Sequence, residues 1–369
     1  MKKYFIGFGG LIASLMFIGA GCVSVGSNTS TANGSAGMFV SVDKGQNWKQ
    51  ISQQPTLTGV KTLSNTSVFR LVSDPQDSRA LYWLSRENGL IYSYDDGNSW
   101  QQVTGPMSSG FVYSLVVHPN NKCVIYGTNS QLIYETKDCG RSWHETYRES
   151  RSDLQIVSLA MNPFSPYEVY AAESNGDLLM SSDNGVSWRV VQRFAVPLAE
   201  VVANPIQNGT IYVVTRKNGL YRSMDGGQNW ISLATSMKDF SGSLEYRRIL
   251  VHPTKPNVLY WISTYGILTS ADSGDTWSAI DLITPPGSAQ IYGFAVNPNN
   301  DNEIYYTATI NGRSTFYKSV DGGARWTTSK LPSGQTPTIL RVHPERDNVV
   351  YLGFSILQQK SNNSLFLGQ

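Results

Sequence analysis

Ser181-Ser182-Asp183-Asn184-Gly185-Val186-Ser187-Trp188 decides the fold, because the same Ser/Thr-x-Asp-x-Gly-x-x-Trp box recurs seven times. Its aspartates are Asp43, Asp95, Asp138, Asp183, Asp225, Asp272 and Asp321, and Trp48, Trp100, Trp143, Trp188, Trp230, Trp277 and Trp326 close the copies. Successive tryptophans lie 52, 43, 45, 42, 47 and 49 residues apart, the period of one supersecondary unit in a propeller or solenoid. A second motif, a proline seven residues before a tyrosine, interleaves with the boxes: Pro75…Tyr82, Pro119…Tyr126, Pro163…Tyr170, Pro205…Tyr212, Pro253…Tyr260, Pro298…Tyr305 and Pro344…Tyr351.

Each unit reads as four short strands. In one copy, residues 111–117 alternate, 124–127 form a β-branched run, and 132–136 and 142–146 flank the box turn. Pro119, Asn129, Ser130 and Gly140 fall between these runs, where turns are required. Four antiparallel strands repeated about an axis make a β-propeller blade, so the expected fold is an all-β, seven-bladed β-propeller. The folded part starts with a third strand, at 37–41, and ends with a first and second strand, at 339–342 and 349–354. N-terminal strands are therefore expected to complete the last blade and close the ring, leaving no open sheet edge. The apolar run 365–367 has no assigned place.

The boxes are read as structural. Asp accepts hydrogen bonds within its own turn, Gly supplies the special dihedral, and Trp packs on the neighbouring sheet. Trp188 is expected in a core position, with a cost of about 3–5 kcal/mol on truncation to Ala. Three of the four histidines, His118, His252 and His343, occupy one spot before the motif proline and read as repeat positions, so no nucleophilic triad is implied.

At the N-terminus, Lys2 and Lys3 precede an apolar stretch over 4–20 and a small-residue segment ending in Cys22. That order reads as a signal peptide of lipoprotein type over 1–21, a polar tether over 22–36, and one propeller over 37–369. Lipidation at Cys22 would tether the domain to the extracytoplasmic side of a bacterial membrane, as a monomer. Cys123 and Cys139 lie at the same open end of one hairpin and are expected to form a disulfide, which an exported domain permits. The balance of 29 basic and 27 acidic residues excludes the basic stripe of a nucleic-acid binder.

The boxes resemble the Asp-box, or BNR, repeat of sialidases, xyloglucanases, sortilin-type receptors and the photosystem II stability/assembly factor family. That resemblance implies that the boxes lie on the face opposite the ligand. It places the functional surface where first strands begin, five or six residues before each motif proline. Arg70, Glu200, Arg247 and Arg248, with Tyr113 and Tyr292, fall there, Tyr246 lies nearby, and together they would suit an acidic peptide or carboxylate ligand. The alternative is that these charges pair with one another around a wet channel.

Enzymatic signatures of the resembling families are incomplete. The Arg-Ile-Pro motif of sialidases is absent, and six blades are expected there rather than seven. Xyloglucanases face two rings across a cleft, and glycoside hydrolysis needs a pair of carboxylates that Glu200 alone does not supply. The resemblance to the photosystem II assembly factors then implies a non-enzymatic, membrane-tethered propeller holding a protein or peptide partner, such as a membrane-protein subunit, without cofactor or metal. The alternative is a carbohydrate-binding or sialidase- or glycosidase-like surface protein, in which Phe111, Phe240, Tyr246 and Tyr292 stack on sugar rings.

Overall fold

A computed structural model describes residues 34–356. The signal segment, Cys22, most of the tether and the run 365–367 lie outside the described residues. Seven four-stranded antiparallel sheets succeed one another around a ring, with one extra two-stranded hairpin, Gln53–Thr56 with Gly59–Thr62, between the first two. Numbered around the ring, the first strands of blades one to seven are Thr336–Val342, Arg70–Ser73, Ser114–His118, Ile156–Met161, Leu198–Ala203, Tyr246–Val251 and Gln290–Asn297.

Blade one closes the ring. Its inner strands are Thr336–Val342 and Val350–Ser355, and its outer strands are Gly37–Ser41 and Lys49–Gln50. Gly37 pairs with Phe354 and Ser41 with Val350, so chain positions some three hundred residues apart share one ladder.

The core lies between blades. Seven apolar clusters each take residues from two consecutive blades, among them one that joins Met38, Ile339 and Tyr351 of blade one to Trp83, Ile91 and Trp100 of blade two. All seven motif tyrosines are buried, none more than 5% exposed. They stand on the second strand of each blade, whose side chains on both faces meet neighbouring sheets.

The box geometry repeats seven times. The Ser or Thr hydroxyl donates to the Asp and accepts the Gly amide, at 2.8 Å for Gly185 to Ser181, while the residue four places after the Asp donates its amide to the Asp, at 2.9 Å for Ser187. Box glycines have φ from +80° to +99°, a region that a Cβ disfavours. The tryptophans do not all behave alike. Trp100 is wholly buried, its indole N–H donating to the Ile51 carbonyl at 2.6 Å across the blade boundary. Trp188 is only half-buried, its N–H donating to Gly185 of its own box at 3.2 Å, so the expectation of a core position there is corrected.

The residue before each motif proline caps the turn between first and second strands. Asp74, Asn162, Asn204 and Asn297 accept the amide two residues on through a side-chain oxygen, and His118, His252 and His343 do so through Nδ1. This shared role explains why histidine recurs there.

Cys123 and Cys139 are joined by a disulfide, with Cα atoms 3.9 Å apart. Their strands meet at the end of blade three where the box turn lies, and the Cys139 amide donates to the Cys123 carbonyl.

Candidate functional site

Antiparallel order puts the proline turns and the boxes together at one end of every blade. The opposite end carries the starts of the first strands and the loops from second to third strands. Each Asp of the boxes has its oxygens taken by its own turn; in blade three, Thr136, the Ser142 amide and the Ser142 hydroxyl all donate to Asp138. Among the described residues no trio of His, Cys, Asp or Glu is gathered as metal ligands.

At the axial end, five first strands enter through a β-bulge. The register shifts between Ile156 and Ser158, Leu198 and Glu200, Tyr246 and Arg248, Ile291 and Phe294, and Pro337 and Ile339. A bulge re-aims side chains and increases local twist. Here it breaks strict alternation at the point where strict alternation would send one of two consecutive residues away from the axis.

Arg70, Glu200, Tyr246 and Arg248 come together. Arg70 of blade two donates to Glu200 of blade five at 2.6 Å, three blades away around the ring. Tyr246 of blade six donates its hydroxyl to the other Glu200 oxygen, and Arg248 donates to the Thr338 carbonyl of blade one at 2.9 Å. Burial opposes the Arg70 charge, but the Glu200 carboxylate and the neighbouring Tyr246 outweigh it and the guanidinium pKa rises. Burial, reinforced by Glu200, pushes the Tyr246 phenol well up. Arg248 has no such carboxylate bond, and burial pulls its pKa down.

Tyr113, Arg247 and Tyr292 sit apart from this knot. Tyr113 stacks on Phe111 with centroids 3.9 Å apart, and Phe69 meets Phe111 edge-on at 4.7 Å. Arg86, from the loop between the second and third strands of blade two, lies over both Phe69 and Phe111 at 4.9 Å. Arg247 lies over the Tyr292 ring at 5.2 Å. Phe240 packs edge-on against Tyr265 at 5.2 Å. Residue counting missed Phe69 as a platform and Arg86 altogether, since Arg86 belongs to a loop rather than to a first strand.

A second titratable group lies between blades three and four at the same end. Arg151 bridges Glu149 at 2.7 Å and Glu173 at 3.2 Å, both carboxylates being almost wholly covered. Burial, then the adjacent Glu149, pushes Glu173 up, whereas the Arg151 hydrogen bond draws Glu149 down.

The fold and site define a closed seven-bladed propeller with an aromatic and guanidinium mouth at its axis. Residues 36–158 and 176–268, more than half of the chain, match the Sortilin-Vps10 model (sortilin, neurotensin receptor 3), and the chain belongs to that family. A xyloglucanase of a Paenibacillus species is 25% identical over 297 residues, 74% of this chain and 27% of its own. A probable oligoxyloglucan-reducing end-specific xyloglucanase of Neosartorya fischeri is 35% identical over 215 residues, 50% of this chain and 25% of its own. The chain thus spans about a quarter of the length of these curated relatives. Among solved structures, the GH74 enzyme of Niastella koreensis has a TM-score of 0.64 at 17% identity, covering 79% of this chain and 51% of that one. YCF48 from Cyanidioschyzon merolae has a TM-score of 0.60 at 12% identity, covering 80% and 97%; both show the shared fold. The xyloglucanase kinship overturns the expectation of a non-enzymatic scaffold for a protein partner, and favours the alternative, a carbohydrate-active protein of the glycosidase kind.

Proposed function

We propose that this chain is a carbohydrate-active propeller of the glycoside-hydrolase kind, which receives a β-glucan of the xyloglucan type on the axial end. The observation that carries this reading is the aromatic platform of Phe69, Phe111 and Tyr113 at the mouth, flanked by Arg86. Flat rings offer apolar area at low entropic cost and suit the C–H faces of pyranose rings. The xyloglucanase relatives supply the substrate class.

Glu200 serves in this reading as a fixed acceptor for sugar hydroxyls. Its two oxygens accept from Arg70 and Tyr246, which fix the orientation of the carboxylate. Hydrolysis calls for an acid and a base with separated pKa values. At the same end Glu173 and Glu149 form a carboxylate pair bridged by Arg151, and this pair is the one the reading takes as acid and base.

Binding of a xyloglucan oligosaccharide by calorimetry, with release of reducing ends on the polymer, tests both parts. Phe111→Ala is expected to weaken binding about ten-fold, in line with one lost stacking contact. Glu173→Gln is expected to abolish release of reducing ends while leaving binding intact. No binding of any xyloglucan fragment by the intact chain would remove the reading.

Export and lipid attachment at Cys22 belong to the same proposal. The disulfide supports an oxidising compartment. Labelled fatty acid should enter the wild-type protein and not Cys22→Ser; label in neither would remove the anchor.

A further inference from the structure

One hairpin belongs to no blade. Gln53–Thr56 and Gly59–Thr62 pair only with each other, in the connection from the last strand of blade one to the first strand of blade two, so antiparallel order puts them at the axial end. The base of the hairpin is fixed to the ring. The Ser52 hydroxyl accepts the Met38 amide at 3.1 Å, the Ser52 carbonyl accepts the Leu63 amide at 2.7 Å, and the Gln53 carbonyl accepts the Trp100 amide at 2.9 Å. Ile51 and Leu63, on either side, are core residues, whereas no residue from 53 to 62 enters an apolar cluster. Thr56 ties the turn by donating its hydroxyl to the Gly59 carbonyl at 2.7 Å.

The free end is apolar. Leu57, at the turn, is wholly exposed, Val60 is 68% exposed, and all four residues of the second strand face solvent. Aliphatic side chains held there give the ring no burial, and they gain it only against a second surface. From residue 45 to residue 69 the chain has no Asp or Glu, and Lys61 on the hairpin is exposed. That surface is therefore met by an apolar tip with a basic flank and no opposing carboxylate on the same segment.

Where the chain enters the ring decides what the tip can meet. Gly37 opens the third strand of blade one at the same axial end, and a Cβ on it would stand 2.6 Å from the Ser52 hydroxyl oxygen and 3.0 Å from the Leu63 carbonyl oxygen, so the entering chain and the hairpin base are adjacent. Gly34, three residues earlier, accepts a hydrogen bond from the Gln335 side chain in the connection between blades seven and one. Cys22 lies twelve residues before Gly34, at most about 40 Å of chain. With strands of four residues at about 3.3 Å each, the hairpin rises roughly 13 Å above its base. Acylation of Cys22 would thus keep a bilayer within reach of the tip.

We infer that the hairpin tip is a membrane contact: Leu57 and Val60 enter the interfacial layer of a bilayer with anionic headgroups, and Lys61 reaches those headgroups. This rests on the acylation of Cys22 proposed above and is independent of the glycan reading. Aliphatic side chains seated at the acyl boundary, beside a long basic side chain that keeps its charge among the headgroups, are what an interfacial segment requires. Contact falls at the rim between blades one and two, and the box end, where Val186 is 81% exposed, stays in water.

The test places an environment-sensitive fluorophore on the acylated full chain at Leu57→Cys, and separately at Val186→Cys, on vesicles of phosphatidylethanolamine and phosphatidylglycerol. Cys123 and Cys139 are held in their disulfide and the lipid occupies Cys22, so the new thiol alone takes the label. Leu57 and Val186 are both exposed, so neither substitution should move the melting temperature. The Leu57 label is expected to shift to the blue and to be quenched by lipids brominated high in the acyl chain, the Val186 label to do neither, and Lys61→Glu to reduce the quenching by repulsion from the anionic headgroups. A Leu57 label that stays aqueous on protein carrying labelled fatty acid would overturn the membrane contact and leave the anchor standing. Equal quenching at the two positions would overturn it as well, since the axial end would then have no preference for the bilayer. Absence of fatty acid from the protein would remove the anchor and this inference with it.

Discussion

Truncating Trp100 and Trp188 to Ala separates what the box does locally from what holds the blades together. Trp100 is wholly buried between blades one and two, meets Trp83 edge-on at 5.3 Å, and donates its indole N–H to the Ile51 carbonyl at 2.6 Å. Removing it opens a cavity in the cluster shared with Met38 and Ile51 and orphans that carbonyl, for a loss of about 4–6 kcal/mol. Trp188 is half-buried and bonds only within its own box, 5.9 Å from the Tyr147 ring. About 100 Å² of its surface is covered, which at about 25 cal/mol/Å² gives a loss of about 2.5 kcal/mol. Urea unfolding followed by far-ultraviolet circular dichroism, with the disulfide intact, reads both changes as midpoint shifts at a common slope. Equal losses, or a larger loss for Trp188→Ala, would refute the assignment of the core to the blade boundaries.

Three further outcomes follow from the same geometry. Gly45→Ala should destabilise by more than about 2 kcal/mol, because its φ is +85° and a Cβ would stand 2.5 Å from the Phe316 ring, whereas Gly105→Ala, with φ +75° and its nearest neighbour 3.9 Å away, should cost only the backbone share of about 1–2 kcal/mol; equal melting shifts would contradict the contact. Reducing the Cys123–Cys139 bond, or Cys123→Ser with Cys139→Ser, should cost about 3 kcal/mol, since a separation of 16 residues closes a short loop; unchanged melting after reduction would contradict that. Stability should fall in two stages on acidification, measured by calorimetry from pH 8 to pH 2. His118, His252 and His343 have pKa values lowered by burial, so their contribution is present above about 6.5 and is lost as pH falls below it. Hydrogen bonds from the residue four places on help to hold Asp43, Asp183, Asp225 and Asp321 at about 2, so their contribution is present above about 4 and disappears as pH drops through about 2. A flat melting temperature between pH 4 and pH 2 would contradict the box hydrogen bonds.

What the sequence determined by itself is what short-range chemistry decides. A box is complete within eight residues, because its hydroxyl, carboxylate and glycine amide bond to one another inside one turn. The prolines mark where strands stop, and the offset between first and last motifs is enough to predict that Gly37–Ser41 pairs with the strand ending at Ser355. The candidate site was legible only in part, since counting from a proline brings Arg70, Glu200 and Tyr246 to the axis without saying which will touch. The bond from Arg70 to Glu200 spans 130 residues, and the bulges at Ala199 and Arg247 set which neighbour faces the axis. Arg86 and Arg216 belong to a shared loop pattern, Ser85-Arg86-Glu87-Asn88-Gly89-Leu90 and Thr215-Arg216-Lys217-Asn218-Gly219-Leu220, between second and third strands, which counting back from the proline does not reach. Whether a charge meets a carboxylate, a carbonyl or an aromatic face depends on blades far apart in the chain, so only the closed ring decided it.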